Sequence, residues 1–386
     1  MGVIRILLAI SVVIAHSTPL FGLSFVGGRY AVQCFYMVSG FYMALVLNEK
    51  YLGPGSYRVF ISARLLRLFP VYLAVVLATL AGEGLLPNVF RHPLNVPVHA
   101  PEGVKQTMGN DNTVQLWEKY AHLMTPWQKA YFAATNLTTL GQESTILFAV
   151  DTKNGEWVKD WRGPEDVEAY RFLLVPQAWS IGVELMFYFV APFLVRRKIP
   201  IVLGVMMASM AVRLVLFKYG YKDDPWNYRF FPSELFFFMV GTLAYRTYKY
   251  LEPRNAVPGW LSMAWWIATV VVIVFWMQIP LPGGVKALGL LGLVATAIPI
   301  VFMRTKRNKL DRYIGELSYP VYISHFLVVS CLTGLGWREG YVAVPVTIVV
   351  SIALYHLIDR PVDSFRHKWA TRASARAKAA AAASGS

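Results

Sequence analysis

Arg5 and His16 stand eleven positions apart in a run that is otherwise apolar. Eleven steps of about 100° end about 20° past three full turns. On one helix both side chains therefore face the same way, about 16 Å apart along the axis. An ionisable residue inside a membrane-length apolar run is costly and is a functional hypothesis by default. His16 has two readings: a structural ring bonded to a neighbouring helix, or a neutral imidazole near mid-membrane that accepts a proton. Two further stripes carry polar groups at helical spacing. Ser180, Glu184 and Tyr188 fall on one face, and Gly315, Ser318, Tyr322 and His325 on another. With Arg5 at the inner boundary, His16 lies about 16 Å and His325 about 20 Å above the inner surface, and Glu184 about 10 Å below the outer one. Ser39 falls in the same layer, so four polar side chains share one narrow slab. Small-residue helix packing is the competing reading for Ser39 and Gly40, and a structural hydrogen bond for His325. Arg64 and Arg67, spaced i,i+3, share a face at the inner edge. With Arg5 they make a cluster suited to phosphate groups; ordinary charge anchoring is the alternative, and it suits Arg58 better. Arg213 and Glu234 lie in adjacent runs and read as a structural ion pair, with acceptor binding as the other possibility.

The elements that position these residues follow from composition. Of the 386 residues, 56% are hydrophobic and 15% charged, against about 25% charged in soluble domains. Apolar runs of about 18–22 residues, long enough to cross a ~30 Å hydrocarbon core, recur at 3–22, 28–48, 67–86, 177–195, 199–217, 230–249, 260–279, 285–303, 312–333 and 341–358. The first is not a signal peptide: no small-residue cleavage site follows it, and His16 is out of place in one. The fold class expected is an all-α, polytopic integral membrane protein of about ten helices.

The net charge of +15 does not point to nucleic acid, because the basic residues are placed asymmetrically. Arg196, Arg197, Lys198, Arg246, Arg254, Arg304, Lys306 and Arg307 fall in connections on the side of the N-terminus, and the opposite side has far fewer. The positive-inside rule puts both ends in the cytoplasm. Cys34 and Cys331 are isolated thiols in apolar runs, which excludes a disulfide framework. Residues 87–176 are too polar to span and hold ten acidic residues, among them Glu102, Asp111, Glu143 and Asp166. They read as an extracytoplasmic insertion between spans 3 and 4, ordered because it contains Trp117, Trp127, Trp157 and Trp161. Its piece from Gln128 to Val150 is apolar enough to dip into the membrane surface. Residues 1–362 form one membrane domain, and 363–386 are expected to be a basic, unstructured cytoplasmic tail.

Six segments resemble, in order, the signatures of the acyltransferase-3 membrane acyltransferases. RILLAISVVIAH resembles the R-x10-H helix, FYMVSGFYMALVL the FFxxSGFxL helix and RLLRLFPVYL the RxxR-x(Y/F)P segment. AWSIGVELMFYFVAP resembles the WSLxxEexFYxxxP helix, GELSYPVYISHFLV the SYxxYLxH helix and IDRP the closing ERP. The resemblance implies an O-acyltransferase of the inner cell membrane. It implies transfer of an acyl group, usually acetyl, from cytoplasmic acetyl-CoA as donor substrate to a glycan or lipid-linked sugar outside, with no metal. Some relatives carry a fused extracytoplasmic esterase-like domain after the last span; none is expected here, which implies direct transfer. The catalytic candidates are His16, Glu184 and His325, with Glu184 or His325 orienting the His16 ring. The donor-binding candidates are Arg5, Arg64, Arg67, Ser39, Ser318 and Tyr322. A secondary transporter or flippase for a lipid-linked glycan is the reading from another class; the inverted repeats typical of transporters are not evident. Cysteines introduced at Lys306 and Asp151 are expected to react with impermeant thiol reagents from opposite sides of the membrane. Reaction of both from outside would overturn the orientation.

Overall fold

The computed structural model describes residues 1–53, 55–90, 111–159, 166–222, 224–366 and 368–372. Trp161 and Glu102 lie outside the described residues. The chain is dominated by helices: α1 (Gly2–His16), α2 (Gly27–Glu49), α3 (Ser56–Leu85), α4 (Thr113–Tyr120), α5 (Pro126–Thr138), α6 (Trp179–Leu194), α7 (Ile199–Lys218), α8 (Phe231–Leu251), α9 (Gly259–Val274), α10 (Gly283–Thr305), α11 (Lys309–Gly334) and α12 (Gly340–Leu354). Among the described residues, seven helical stretches are long and apolar enough to cross a membrane: α2, α3, Pro176–Leu194, α7, α10, α11 and Gly340–Arg372. The protein is therefore a multi-pass membrane protein. The other three expected runs also form helices. α1 and α9 are shorter apolar helices, and α8 carries Glu234, Arg246 and Lys249.

Boundaries differ from the sequence expectation in instructive ways. α1 stops at His16 rather than near 22, and the chain then turns through a Leu20–Leu23 bridge with Phe21 and Gly22 at positive φ. Ser17, Thr18 and Pro19 explain the stop, since hydroxyl residues favour helix ends and proline cannot continue a helix. α3 begins at Ser56, eleven residues before the apolar run, so Arg58, Arg64 and Arg67 all lie on one continuous helix. α12 does not end the ordered chain either. It passes through a π-helical turn, Tyr355–Asp359, and helix resumes to residue 372. Residues 363–366 and 368–372 of the expected tail are thus helical, and 373–386 lie outside the described residues.

The helices pack mainly as α2 along α8 and α1 along α11. The first contact depends on small residues. A Cβ on Gly40 would lie 2.0 Å from the Phe238 carbonyl oxygen, and one on Gly241 would lie 1.9 Å from that of Met37. Lipid supplies no hydrophobic drive between helices, so close backbone approach of this kind is what holds them together.

The structure is mostly helical, as expected for an all-α membrane protein, and the insertion adds a small sheet. The sheet is three-stranded and antiparallel, in the order β2-β1-β3, formed by β1 (Phe148–Asp151), β2 (Trp157–Lys159) and β3 (Asp166–Glu168). Val150 pairs with both Trp157 and Val167. Asn154 and Gly155, the latter at positive φ, supply the turn between β1 and β2. Gln128–Val150 is divided into α5, a 3-10 turn (Gln142–Leu147) and β1. Its apolar residues face a separate core: Phe132 and Val150 are fully buried with Leu116, Met124 and Phe172. The insertion is seated on the membrane helices by Tyr72 Oη, which donates to the Asn136 carbonyl at 2.5 Å, and by the Val114 N–H, which donates to Glu83 Oε2 at 3.0 Å.

Because its obstacle is backbone rather than a movable side chain, Gly40→Val is expected to lower the unfolding temperature of the detergent-solubilised protein, as overpacking costing about 1–3 kcal/mol or more does. An unchanged temperature would show that α2 and α8 do not meet there.

Candidate active site

The site is built on the α1–α11 pair. The backbone N–H groups of Gly2 and Val3, orphaned at the start of α1, donate to the two oxygens of Asp311 at 2.8 and 3.1 Å. Asn308 caps α11 in turn, accepting from the Leu310 and Asp311 N–H groups. A Cβ on Gly315 would lie 2.9 Å from Gly2 Cα, so the helices are in contact at this end. At the other end His16 and His325 face each other with ring centroids 5.0 Å apart and planes tilted by 48°.

Both imidazoles have the same local anchor. His16 Nδ1 is 2.9 Å from the Val12 carbonyl and His325 Nδ1 is 2.5 Å from the Tyr322 carbonyl. A carbonyl only accepts, so each Nδ1 carries the hydrogen, and a neutral ring then keeps its lone pair on Nε2. His325 is fully buried, and its Nε2 has no partner among the described residues. His16 is partly exposed.

From His325 a polar chain runs inward. The Tyr322 ring lies 5.8 Å from that of His325. Its hydroxyl is 2.6 Å from Ser180 Oγ and donates to the Gln177 carbonyl at 3.0 Å. Ser180 and Tyr322 then line a cavity of about 630 Å³ together with Ser39, Glu184, Tyr188 and Ser318. Neither histidine lines it; Tyr322 and Phe35, edge to face at 6.2 Å, stand between the cavity and the histidine pair.

Glu184 differs from its expected position beside His16. Its Oε1 accepts from Ser39 Oγ and from Tyr188 Oη, each at 2.5 Å, and no hydrogen bond joins it to His16 among the described residues. Depth arithmetic gives height in the membrane but not which helices are neighbours, and α6 packs on α2, α3 and α8. Ser39 and Gly40 serve both roles weighed for them: Gly40 faces the α8 backbone and Ser39 bonds the carboxylate. Ser318 Oγ is turned back to the Gly315 carbonyl at 2.7 Å. The expected Arg213–Glu234 ion pair forms at 2.5 Å, with Gln33 Nε2 also 3.4 Å from the carboxylate. It lies outside this cavity.

The cavity is basic. Arg5, Arg64, Arg67, Lys50, Lys306, Arg312 and Arg366 line it, against Glu184, Asp311, Glu316 and Asp363. Arg67 donates to Glu316 at 3.1 Å, and Arg5 sits over the Tyr42 ring at 5.8 Å. Arg64 is 6% exposed and its Nε has no partner among the described residues. A buried ion costs several kcal/mol unless compensated, so this guanidinium is suited to an anionic ligand. The volume is in the range of small-molecule sites, about 300–1,000 Å³. Sequence reasoning missed Arg366, Asp363 and Gln177. Arg366 falls in the stretch expected to be an unstructured basic tail, although Tyr355, Asp363 and Arg366 recur at near-helical spacing and could have been found by extending the last helix.

The helices thus form a multi-pass protein with a basic cavity whose wall at Tyr322 adjoins the His16–His325 pair. The comparisons name the class: the acyltransferase-3 model, an acyltransferase domain, matches residues 1–356, and the chain belongs to that family. The family makes it a membrane acyltransferase. An uncharacterized protein of Aquifex aeolicus is 27% identical over 206 residues, covering 50% of this chain and 90% of that protein. Nodulation protein 10 of Rhizobium leguminosarum bv. viciae is 26% identical over 210 residues, covering 49% of this chain and 54% of that protein, so the chain spans about half the length of this relative. No solved structure matches the chain.

The contrast between an unpaired and a saturated group sets two opposite expectations for the ligand-free protein. Arg64→Met removes a buried guanidinium whose Nε has no partner among the described residues and is expected to raise the unfolding temperature, by analogy with buried ions whose replacement stabilises by about 1–4 kcal/mol. Glu184→Ala strands the Ser39 and Tyr188 hydroxyls, at about 1–3 kcal/mol each, and is expected to lower it. A fall for Arg64→Met would reveal a structural partner for the guanidinium.

Proposed function

We propose that the protein transfers an acyl group, most simply acetyl, from cytoplasmic acyl-CoA to a hydroxyl of an extracytoplasmic glycan or lipid-linked sugar in the inner membrane. The observation that carries this reading is the basic cavity, with Arg64 unpaired, whose polar inner end leads through Tyr322 to His325 and His16. Coenzyme A has a charged end and a long, thin arm. Arg5, Arg64 and Arg67 bind its phosphates in this reading, and the arm extends along Ser39, Ser318 and Tyr322 toward the histidines. The thioester then lies beside Ser180, whose hydroxyl turns from Tyr322 Oη to donate to its carbonyl oxygen.

A sugar hydroxyl is a poor nucleophile at neutral pH, so attack on a thioester needs a base. His16 has the arrangement for one. Its Nδ1–H is held by the Val12 carbonyl, which orients the ring and leaves Nε2 to take the hydroxyl proton. The hydroxyl oxygen bonds to the thioester carbon, the carbon–sulfur bond breaks, and the departing thiolate recovers the proton from the imidazolium. His325, 5.0 Å from His16, steadies the ring. Glu184 acts at one remove, fixing Ser39 and Tyr188 on the cavity wall. Because Tyr322 and Phe35 separate the cavity from His16, transfer requires the acyl end to pass these rings. The acceptor arrives from the opposite side, where the insertion presents Trp127.

His16→Ala is expected to abolish acyl transfer while CoA binding changes by less than about two-fold, because the phosphate contacts lie about 16 Å away along α1. Transfer at a near wild-type rate would remove His16 from the mechanism. Arg64→Ala is expected to do the converse and weaken CoA binding about ten-fold or more, in line with charge-assisted contacts.

A further inference from the structure

We infer that Arg366, carried into the cavity by the helix that continues beyond the last span, binds a phosphate of the donor. This rests on the acyl-CoA reading above. The residue lies past both the matched family domain, which ends at residue 356, and the last sequence signature. Its position is nevertheless that of a site residue. Arg366 is 4% exposed and lines the same cavity as Arg5, Arg64 and Arg67.

How it arrives there follows from helix geometry. After α12 the chain makes the π-turn Tyr355–Asp359 and then resumes an α-helix. A π-turn takes up one more residue than an α-turn, so everything after it is rotated by about 100° relative to an uninterrupted helix. With that rotation, Tyr355, Asp363 and Arg366 all reach the cavity wall. α3, which carries Arg64 and Arg67, packs against the π-turn itself, so the two basic elements are held as one wall. π-turns of this kind are frequently found at functional sites.

The side chain donates to Asp363 Oδ1, one helical turn away, through both Nε and Nη2. A carboxylate supplied by the same helix is the stand-in for the anion the cavity lacks. It keeps the guanidinium charge compensated when the site is empty. When the donor enters, its phosphate competes with Asp363 for the fork of N–H groups, to which phosphate oxygens are well matched. The last helical segment is thereby ordered against the donor, and its contact closes the inner end of the cavity.

The test uses the full chain in detergent and titrates CoA into the wild type, Arg366→Ala, Arg366→Lys and Asp363→Asn, with the ligand-free unfolding temperature as the folding control. Arg366→Ala is expected to weaken CoA about ten-fold or more at an unchanged unfolding temperature, and Arg366→Lys to recover part of the loss. Asp363→Asn is expected to tighten CoA a few-fold, because it removes the competing carboxylate. Wild-type affinity in folded Arg366→Ala would overturn the assignment. So would a loss in Asp363→Asn as large as that in Arg366→Ala, which would make the pair structural. If Arg366→Ala does not fold, Asp363→Asn decides alone, tighter binding supporting the assignment and weaker binding overturning it. Failure of the wild type to bind CoA at all would instead refute the donor reading on which the assignment rests.

Discussion

The site depends on the alignment of α1 with α11. Asp311 spends both carboxylate oxygens on the first N–H groups of α1, and Gly315 lets Gly2 approach to backbone contact. These two features, with packing on α2, α9 and α12, fix the axial position and rotation of a short, 15-residue helix. Everything chemical on α1 follows. A one-residue slip would turn His16 by about 100° away from His325 and take Arg5 off the cavity wall.

The same rule separates structural polar groups from functional ones. Glu234 is buried and Glu184 half-buried, and each accepts from two or more donors. They are complete within the protein and organise their neighbours. Arg64 Nε and His325 Nε2 are buried without such completion. Arg213 and Arg246 also have an unpartnered Nε, but each donates through its other nitrogens, whereas no hydrogen bond from Arg64 is found among the described residues. The open groups mark the two ends of one path, from the guanidinium in the basic cavity to the histidine pair, with Tyr322 between them.

The insertion is organised differently because it is exposed to water. It builds a second small core around Phe132, Phe172 and Val150 and uses ordinary capping boxes at Asn112 and Thr125. Its hydrogen bonds to α3, through Tyr72 and Glu83, seat it on the C-terminal half of the helix whose N-terminal half carries Arg64 and Arg67. The basic residues of the cavity and the seat of the insertion thus share one helix.

Much of this was legible in the residues alone. Ten apolar runs became ten helices, the Arg5–His16 and Arg64–Arg67 spacings each fell on one helix, and the Arg213–Glu234 pair formed, because helical period and the cost of intramembrane charge act locally. The family, too, was readable from six ordered segments. Ranges were less secure: α1 ended early at its hydroxyl residues and proline, and the sheet in the insertion went unseen in strands of three and four residues. What the chain could not state was which helix faces which. Depth placed Glu184, Ser39, His16 and His325 in one layer, and only packing assigned Glu184 to Ser39 and Tyr188 and His325 to His16. Likewise Arg366 is one basic residue among many until a π-turn rotates it inward. Period and hydrophobicity are properties of a segment and are written in its sequence. Neighbourhood is a property of the close-packed whole, set by where glycines admit a backbone and where a carboxylate finds its donors.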